Sequence, residues 1–422
     1  MKKIILLFFI FLTTYSFLCL STDITAISDQ TIDLNSSFTL TDNIILDKID
    51  SYELNIYSKR AIIYERNSNT ILYGKNINEV CPMASTTKIM TALLVIESSN
   101  LESIVTISKK AASTGGSRLG LKENDTIKVI DLLYGLMLPS GNDAAYALAE
   151  YVGGTYDNFI SMMNNKAKSL GLVNTNFESP HGLDSTNHHT TILELAKITD
   201  YALNNDVFRK IVNTKKYTVY INNSPKTISN TNELLGTQYV YGVKTGFTNK
   251  AGRCLVSVAN NNDLDIIIIV LGADSKKIRT SDSKKLLKYA FDNYTLIDLL
   301  PFINLEFNNI KDNKLKNLNI KKSFKKLNNI YIPINKHIYF PILKNGNNMI
   351  STTSNNINNI ESPILKNDII YSINVYINGK FILSSKVLSS ENVYRTNYIE
   401  YLYYFIKNFK NIVNNIQFWL TF

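Results

Sequence analysis

The amino-acid sequence predicts an α+β fold: an antiparallel sheet with an inserted helical region, then a small all-β domain and a C-terminal amphipathic helix. Strand-like segments occur at residues 61–73 and again at 239–273, and residues 127–202 between them carry amphipathic helical patterns. After residue 297, short β-branched runs alternate with Asn and Gly turns. Strands at both ends of a helical middle are typical of one antiparallel sheet closed by N-terminal and C-terminal hairpins.

Length and composition restrict the possible classes of protein. A chain of 422 residues is too long for one domain of ordinary size, so two folded units are expected. Its three cysteines exclude a disulfide-rich scaffold and a cysteine-ligated zinc module, and four histidines leave little material for a metal site. The net charge of +10 is compatible with a nucleic acid, an anionic membrane or a cell-wall polymer as partner.

Residues 1–23 have the layout of a secretory signal peptide. Lys2 and Lys3 form a short positive region, an almost unbroken apolar run extends from Ile4 to Leu20, and polar residues end it. The alternative is an uncleaved N-terminal anchor. Export argues against nucleic acid as a partner, so the positive charge is better assigned to contact with polyanions of the cell envelope.

The first folded unit is assigned to residues 55–296 and follows a polar, irregular segment, 24–54, that indicates a linker. Two strand segments joined by an Asn-Ser-Asn turn predict a hairpin at 61–73. Residues 85–96 predict a helix that is apolar on nearly every side and therefore buried. Further strands and one helix are predicted at residues 239–243, 254–259, 264–273 and 281–294.

The second unit, residues 297–392, is predicted to be a small β-rich domain. It contains seven lysines between Lys311 and Lys326. These lysines could contact an anionic wall polymer, or they could form a solvated face in a protein whose composition leans towards Lys, Asn and Ile.

The C-terminal segment, residues 396–422, predicts a two-faced helix. Its apolar side chains form one stripe: Ile399, Leu402, Phe405, Ile406, Phe409, Ile412, Val413, Ile416, Trp419 and Leu420. A membrane-spanning helix would be apolar on every side, so this pattern predicts an in-plane anchor at the membrane surface. The alternative is a helix packed on the β-rich domain.

Ser85 and Lys88 open the predicted buried helix and form the first chemical motif. Side chains three residues apart lie on one face of a helix within reach of each other. A serine hydroxyl becomes a nucleophile when a base takes its proton, and a lysine can be that base when burial and a nearby cation lower its pKa. The same spacing recurs at Ser281 and Lys284 and at Ser323 and Lys326, so this motif alone is weak.

The order of three motifs strengthens the prediction. Ser140-Gly141-Asn142 follows Ser85 by 55 residues, and Lys244-Thr245-Gly246 follows on a predicted strand. Each later motif alone would indicate only a turn or a strand end. In this order they are a signature of active-serine enzymes.

The sequence resembles the serine-type D-alanyl-D-alanine carboxypeptidases, which are low-molecular-mass penicillin-binding proteins. The resemblance covers roughly residues 55–295 and includes the segments 82–92, 140–145, 180–184, 242–248 and 251–255. It implies the transpeptidase-like fold shared by serine β-lactamases and penicillin-binding proteins. Phe247 stands where some family members carry His, which could alter substrate preference.

The resemblance also implies a role for each motif residue. Ser85 would form the acyl-enzyme, Lys88 would be the general base, and Ser140 would pass a proton to the leaving amine. The substrate would be bound by Asn142, Lys244, Thr245, Gly246 and Phe247, with the backbone N–H groups of Ser85 and Phe247 as the oxyanion hole. The implied partners are peptidoglycan stem peptides ending in D-Ala-D-Ala, β-lactams as inhibitors, and the outer face of the cytoplasmic membrane, with no metal, cofactor or nucleic acid.

Two other functions remain open from the sequence. A β-lactamase shares the three motifs and needs a deacylating glutamate, for which Glu178 lies in the right interval although its neighbours do not match. A non-catalytic wall-binding protein could keep the fold, but it would not need all three motifs. His181 could take part in catalysis or could organise its loop through a hydrogen bond.

Cys81 and Cys254 flank the motifs in an exported protein. They could form a disulfide if their Cβ atoms lie about 4 Å apart, but two buried free thiols are the simpler prediction.

Overall fold

The computed structural model describes residues 38–40, 54–334, 336–356 and 360–420, with only the backbone described for 38–40, 356 and 410–420. The predicted signal peptide, residues 1–23, lies outside the described residues. The strands are, in chain order, β1 (Phe38–Leu40), β2 (Arg60–Glu65), β3 (Thr70–Lys75), β4 (Ile104–Thr106), β5 (Thr126–Lys128), β6 (Lys216–Ile221), β7 (Ser224–Ser229), β8 (Val240–Thr248), β9 (Gly252–Asn261), β10 (Leu264–Ala273), β11 (Tyr294–Asp298), β12 (Ile330–Tyr331), β13 (Tyr339–Leu343), β14 (Ile350–Asn356), β15 (Ile369–Ile377) and β16 (Lys380–Ser389).

Helices occupy the segment between β3 and β6 and also follow β10. They are α1 (Lys88–Ser98), α2 (Lys109–Ser113), α3 (Val129–Met137), α4 (Asn142–Gly153), α5 (Tyr156–Ser169), α6 (Ile192–Leu203), α7 (Asp206–Val212), α8 (Lys276–Asn293), α9 (Leu300–Asn309) and α10 (Tyr398–Leu420). A 3₁₀ turn, Ala84–Thr87, leads directly into α1.

The central sheet of the first unit has five antiparallel strands in the order β3-β2-β10-β9-β8. Its strands come from both ends of the unit, as the sequence predicts. Because successive residues of a strand point to opposite faces, the runs 61–64 and 266–271 bury side chains on both faces of the sheet. Helices α1 and α3–α7 cover one face and α8 covers the other.

A second, smaller sheet lies beside the helices and was not predicted from the sequence. Its strands pair in the order β4-β5-β6-β7. The strands β4 and β5 have three residues each, which is too short for a recognisable alternation, and five of the six residues of β7 are exposed, so β7 carries no apolar alternation.

The β-rich unit is built on an antiparallel sheet in the order β1-β16-β15-β14, with β12 also pairing with β16. The strand β1, Phe38–Leu40, lies inside the segment 24–54 that the sequence predicts as an irregular linker. That prediction is wrong for these three residues, because their backbone pairs with β16. Six of the seven lysines between Lys311 and Lys326 are exposed.

The predicted boundary between residues 296 and 297 falls inside β11. This strand pairs with β13, and its side chains alternate between the two hydrophobic cores: Leu296 packs on the first core and Ile297 on the second. The helix α9, which the sequence pattern did not reveal, then leads into the second unit.

The C-terminal helix α10 begins at Tyr398, two residues after the predicted start. Among the described residues, none of the helices is both long and apolar enough to cross a lipid bilayer.

Candidate active site

Ser85 lies in the 3₁₀ turn at the start of α1, partly exposed to solvent. Two hydrogen bonds within the turn fix it: the Thr86 hydroxyl donates to the Met83 carbonyl at 2.6 Å, and the Thr87 hydroxyl donates to the Ala84 carbonyl at 2.8 Å. Ala84 has a left-handed backbone with φ of +48°. A non-glycine residue holds this conformation at a cost in free energy, which the surrounding contacts must offset.

Lys88 is completely buried one turn after Ser85, and its amine has three acceptors. The Nζ atom lies 3.1 Å from Ser85 Oγ, 2.7 Å from Asn142 Oδ1 and 2.9 Å from the carbonyl oxygen of His181. Burial, followed by the positive charge of Lys244, lowers the pKa of Lys88 well below its usual range. A lysine in this state can accept the proton of the neighbouring hydroxyl.

The second motif leads into α4, whose first residue is Asn142, and it faces Lys88. The Asn142 amide is fixed at both ends, since its Oδ1 accepts from Lys88 and its Nδ2 donates to the Gly115 carbonyl at 2.7 Å. Ser140 has a left-handed backbone, and its buried hydroxyl has no hydrogen-bond partner among the described residues. An unpaired buried hydroxyl costs about 1–3 kcal/mol, so this atom is available to a bound ligand.

Asp143 supports the second motif, although the sequence indicated no role for it. Its carboxylate accepts backbone N–H hydrogen bonds from Leu119 at 2.8 Å, Gly120 at 2.7 Å and Leu121 at 3.0 Å. These bonds hold the loop that carries Gly115 against the N-terminal end of α4. A short side chain directly after Ser-Gly-Asn at a helix start is the only local signal for this role.

The third motif lies on β8, an edge strand of the central sheet that passes beside the Ser85 turn. A Cβ atom at Gly246 would lie 3.2 Å from Ala84 Cβ and from the Ser85 nitrogen, so glycine allows this close approach. The approach brings the backbone of Phe247, the next residue, near that of Ser85.

Lys244 and Thr245 precede this close contact on β8. Lys244 is buried, and burial, followed by the charge of Arg279, lowers its pKa to about 7. The Thr245 hydroxyl is 2.7 Å from the Thr231 hydroxyl. The strand therefore carries a buried amine and, at the next residue, a hydroxyl.

Arg279, on α8, is a site residue that sequence reasoning missed. Its side chain is buried, one guanidinium NH2 donates to Glu233 at 2.8 Å, and its Nε has no hydrogen-bond partner among the described residues. Its positive charge acts on Lys244, as the lowered pKa of that lysine indicates. No motif around Arg279 could have revealed this, because helix packing brings it to β8.

The loop after α5 covers the other side of the Ser85 turn. The His181 carbonyl accepts from Lys88, and its ring Nδ1 accepts from the Leu183 N–H at 3.3 Å. Burial, followed by the Lys88 charge, lowers the pKa of His181 to about 3, so its ring is neutral. Of the two roles considered for His181, this geometry matches the organisation of the loop.

His188 is a third residue, after Asp143 and Arg279, whose role the sequence did not indicate. Its Nδ1 accepts from the Glu178 N–H at 3.0 Å, and its Nε2 lies 2.7 Å from the Thr87 hydroxyl. Because Nδ1 is an acceptor, Nε2 carries the hydrogen and donates to Thr87, which donates onwards to Ala84. Burial lowers the pKa of His188 to about 4, and its neutral ring thus ties the loop to the Ser85 turn.

The side chains of Glu178, Cys81 and Cys254 make no hydrogen bond to Ser85 or Lys88 among the described residues. The Glu178 carboxylate accepts from the Asn187 N–H at 3.0 Å, within its own loop. Cys81 and Cys254 are both buried and free, as the simpler prediction has it. Burial raises the pKa of Cys81 to about 11 and that of Cys254 to about 12, so both stay protonated.

A partly exposed serine beside a buried lysine, a second serine hydroxyl and a second buried lysine define a class, the active-serine enzymes with the penicillin-binding fold. The sequence comparison agrees: residues 47–275 match the peptidase S11 family, D-alanyl-D-alanine carboxypeptidase. The chain belongs to this family.

Individual relatives support the assignment over most of the chain. The chain is 31% identical over 360 residues to D-alanyl-D-alanine carboxypeptidase DacF of Bacillus subtilis, covering 83% of this chain and 89% of that protein. It is 40% identical over 243 residues to a D-alanyl-D-alanine carboxypeptidase of a Streptomyces species (strain K15), covering 53% of this chain and 84% of that protein.

Two solved structures have the same fold. Penicillin binding protein 5 from Haemophilus influenzae superposes with a TM-score of 0.67 at 27% identity, covering 81% of this chain and 98% of that chain. The Streptomyces K15 DD-transpeptidase superposes with a TM-score of 0.54 at 37% identity, covering 56% of this chain and 98% of that chain. The predicted α+β fold with its helical region and separate β-rich domain is thereby confirmed.

Replacing Gly182 by Ala tests how closely the loop must approach the Ser85 turn. Gly182 has φ of +82°, and a Cβ atom there would lie 1.9 Å from the Ala84 carbonyl oxygen. We expect Gly182→Ala to displace the turn and to slow the acylation of Ser85 by labelled penicillin at least tenfold. Gly171→Ala is the control, because Gly171 has a similar φ of +71° with nothing within 4 Å.

The control variant should lose only about 1–2 kcal/mol of unfolding free energy for its left-handed backbone and should be acylated at the normal rate. Equal acylation rates in the two variants would mean that the close approach of Gly182 does not position Ser85.

Proposed function

We propose that this protein is an exported serine carboxypeptidase that removes the terminal D-alanine from peptidoglycan stem peptides through an acyl-enzyme on Ser85. The observation that carries this proposal is the Lys88 amine, which lies 3.1 Å from the Ser85 hydroxyl and is held by two further acceptors in a fully buried position. Membership of the S11 family and the names of its relatives support the substrate.

In the first half of the reaction, Ser85 Oγ attacks the carbonyl carbon between the two D-alanines. The hydroxyl proton passes to the neutral Lys88 Nζ, and the negative charge on the substrate oxygen is stabilised by the N–H groups of Ser85 and Phe247. The close approach that Gly246 permits supports this pair of donors. The C–N bond then breaks, the amine takes a proton through Ser140, and D-alanine leaves.

In the second half, water attacks the ester carbonyl and Lys88 again takes a proton. The ester bond breaks, Ser85 regains its proton, and the shortened peptide leaves with a new carboxylate. The chain needs only water as co-reactant.

The unpaired hydroxyl and the cations around it support the roles of the remaining residues. The Ser140 hydroxyl lacks a partner among the described residues, which fits a proton relay that bonds to the substrate. Lys244 and Arg279 supply positive charge near Thr245, whose hydroxyl is proposed to bind the substrate's terminal carboxylate. The Asn142 amide would bond the substrate backbone.

The same geometry predicts inhibition by β-lactams, whose amide resembles the D-Ala-D-Ala bond. Acylation of Ser85 would follow the same steps, but the penicilloyl ester would persist. Glu178 gives no support to rapid β-lactam hydrolysis, because its carboxylate bonds the N–H of Asn187 in its own loop. The carboxypeptidase is therefore favoured over the β-lactamase.

Substitution of the nucleophile tests the central assignment. Ser85→Ala should abolish both D-alanine release and covalent labelling by penicillin, because no other group in the proposed site forms the ester. Ser281→Ala is the matched control, since Ser281 has the same spacing to Lys284 but is exposed. Labelling that persists in Ser85→Ala, measured by gel fluorescence or mass spectrometry, would contradict the proposal.

The pH dependence of acylation tests the role of Lys88. The pKa of Lys88 is lowered, so the neutral, proton-accepting form is present above that pKa and lost as pH falls through it. The acylation rate should therefore rise with pH, along a limb well below pH 10.

The charge of Lys244 provides a second test of how the acylation rate rises with pH. Lys244→Gln removes a cation that lowers the pKa of Lys88, so the rising limb should move to higher pH. Lys276→Gln, which changes an exposed lysine, should leave it in place. A flat profile between about pH 6 and 10 in the unchanged protein would remove Lys88 from the role of base.

The C-terminal helix supports a location at the outer face of the cytoplasmic membrane. The Phe324 ring stacks on Tyr404 and meets Tyr401 edge-on, with centroids 4.4 and 4.7 Å apart. The described part of the apolar stripe lies on another side of the helix and is exposed: Ile399, Leu402, Phe405, Ile406 and Phe409. Phe324 therefore packs against one side of the helix, and the exposed part of the apolar stripe is free to contact lipid. This arrangement favours the in-plane anchor over a helix packed fully on the β-rich unit.

Removal of residues 398–422 tests this location. The cut follows Asn397 and so keeps Thr396, whose N–H donates to the Lys322 carbonyl and whose hydroxyl accepts from the Phe324 N–H. The shortened protein should appear in the soluble fraction with unchanged release of D-alanine from a small peptide. If it stays with membranes after the signal peptide is removed, the helix is not the anchor.

A further inference from the structure

We propose that Arg253, stacked on Phe247, forms a subsite for a carboxylate that the substrate carries on the residue before the two D-alanines. The proposal rests on the proposed function, since it assigns the substrate's direction along β8. It identifies the substrate as a stem peptide with an anionic third residue.

The subsite is built from two residues that face each other across neighbouring strands. Phe247 on β8 pairs in register with Arg253 on β9, and the Arg253 guanidinium carbon lies 3.6 Å from the centre of the Phe247 ring. A guanidinium over an aromatic face is held in place while its N–H groups remain free to bind an anion.

Neither Phe247 nor Arg253 is buried as a core residue would be. Phe247 is 47% exposed although it lies beside the Ser85 turn. Among the described residues, the Arg253 guanidinium has neither an ion pair nor a hydrogen bond. The carboxylate of Asp184, a loop residue in contact with the end of β8, is occupied by the Thr248 hydroxyl at 2.6 Å and the Lys250 N–H at 3.3 Å.

The order of the site residues gives the direction of the substrate. Thr245 is assigned to the terminal carboxylate and the Phe247 N–H to the reacting carbonyl. Passing from Thr245 to Phe247 therefore follows the substrate from its C-terminus towards its N-terminus. At about 3.3 Å per residue, the residue that precedes the two alanines lies about one residue beyond the Phe247 N–H, within reach of the Arg253 side chain that is stacked on Phe247.

The chemistry of the pair selects a carboxylate. A planar guanidinium can donate two parallel hydrogen bonds to one carboxylate, whereas a carboxamide offers it a single neutral oxygen. A ligand with a positively charged side chain at this position would meet like charge. The subsite thus distinguishes stem peptides by the charge of their third residue.

The test uses two acylated peptides ending in D-Ala-D-Ala that differ only at the third side chain, which ends in a carboxylate or in its carboxamide. For the unchanged protein, kcat/KM for D-alanine release should be about five- to tenfold higher with the carboxylate. In Arg253→Gln this ratio should fall to about one. Because the ratio compares two substrates of one variant, it is insensitive to the amount of folded enzyme.

Two further variants make the result specific. Arg253→Met keeps an apolar side chain against the Phe247 ring and should also lose the preference. Lys250→Gln removes a cation from the adjacent turn and should keep it. The proposal is overturned if the unchanged protein shows no preference, if Arg253→Gln retains it, or if Lys250→Gln loses it. Release of D-alanine from both peptides without a preference would refute this subsite and leave the proposed function standing.

Discussion

The burial of one amine connects the parts of the active site. Removing the Lys88 ammonium from water is costly, and the cost is offset by three acceptors that come from three different segments. These acceptors lie in the Ser85 turn, at the start of α4 and in the loop that contains His181. A displacement of any one segment leaves the amine short of a partner, so the contacts that accompany its burial also keep the three segments in register.

Two glycines allow the turn at Ser85 to exist in its observed form. Ala84 lies between β8 on one side and the loop of residues 181–182 on the other, and a Cβ atom at Gly246 or Gly182 would contact or overlap it. The left-handed backbone of Ala84 is held by this two-sided packing and by the hydrogen-bond chain from His188 through Thr87. Steric confinement therefore positions Ser85 more directly than local helix propensity does.

The sequence was sufficient for the central sheet and for most of the site, because their signals are local. Strand patterns at residues 239–243, 254–259 and 264–273 predicted β10 and parts of β8 and β9, and the three-residue spacing of Ser85 and Lys88 predicted their contact. Arg279 and His188 could not be predicted, since each reaches the site only through packing between segments far apart in the sequence. The short strands β4 and β5 were missed for a related reason, because three residues are too few for an alternating pattern.

The pairing of β1 with β16 has a consequence for the order in which the protein folds. Phe38 lies opposite Ser385, so the entire first unit is interposed between two strands of one sheet. During synthesis, the first unit is complete in sequence while β1 still waits for its partner at the far end of the chain. Closing that long loop is entropically unfavourable and slow, so the β-rich sheet matures last. Until then the edge that β1 will cover is open, which makes this sheet the part of the newly made chain most exposed to mispairing with other strands.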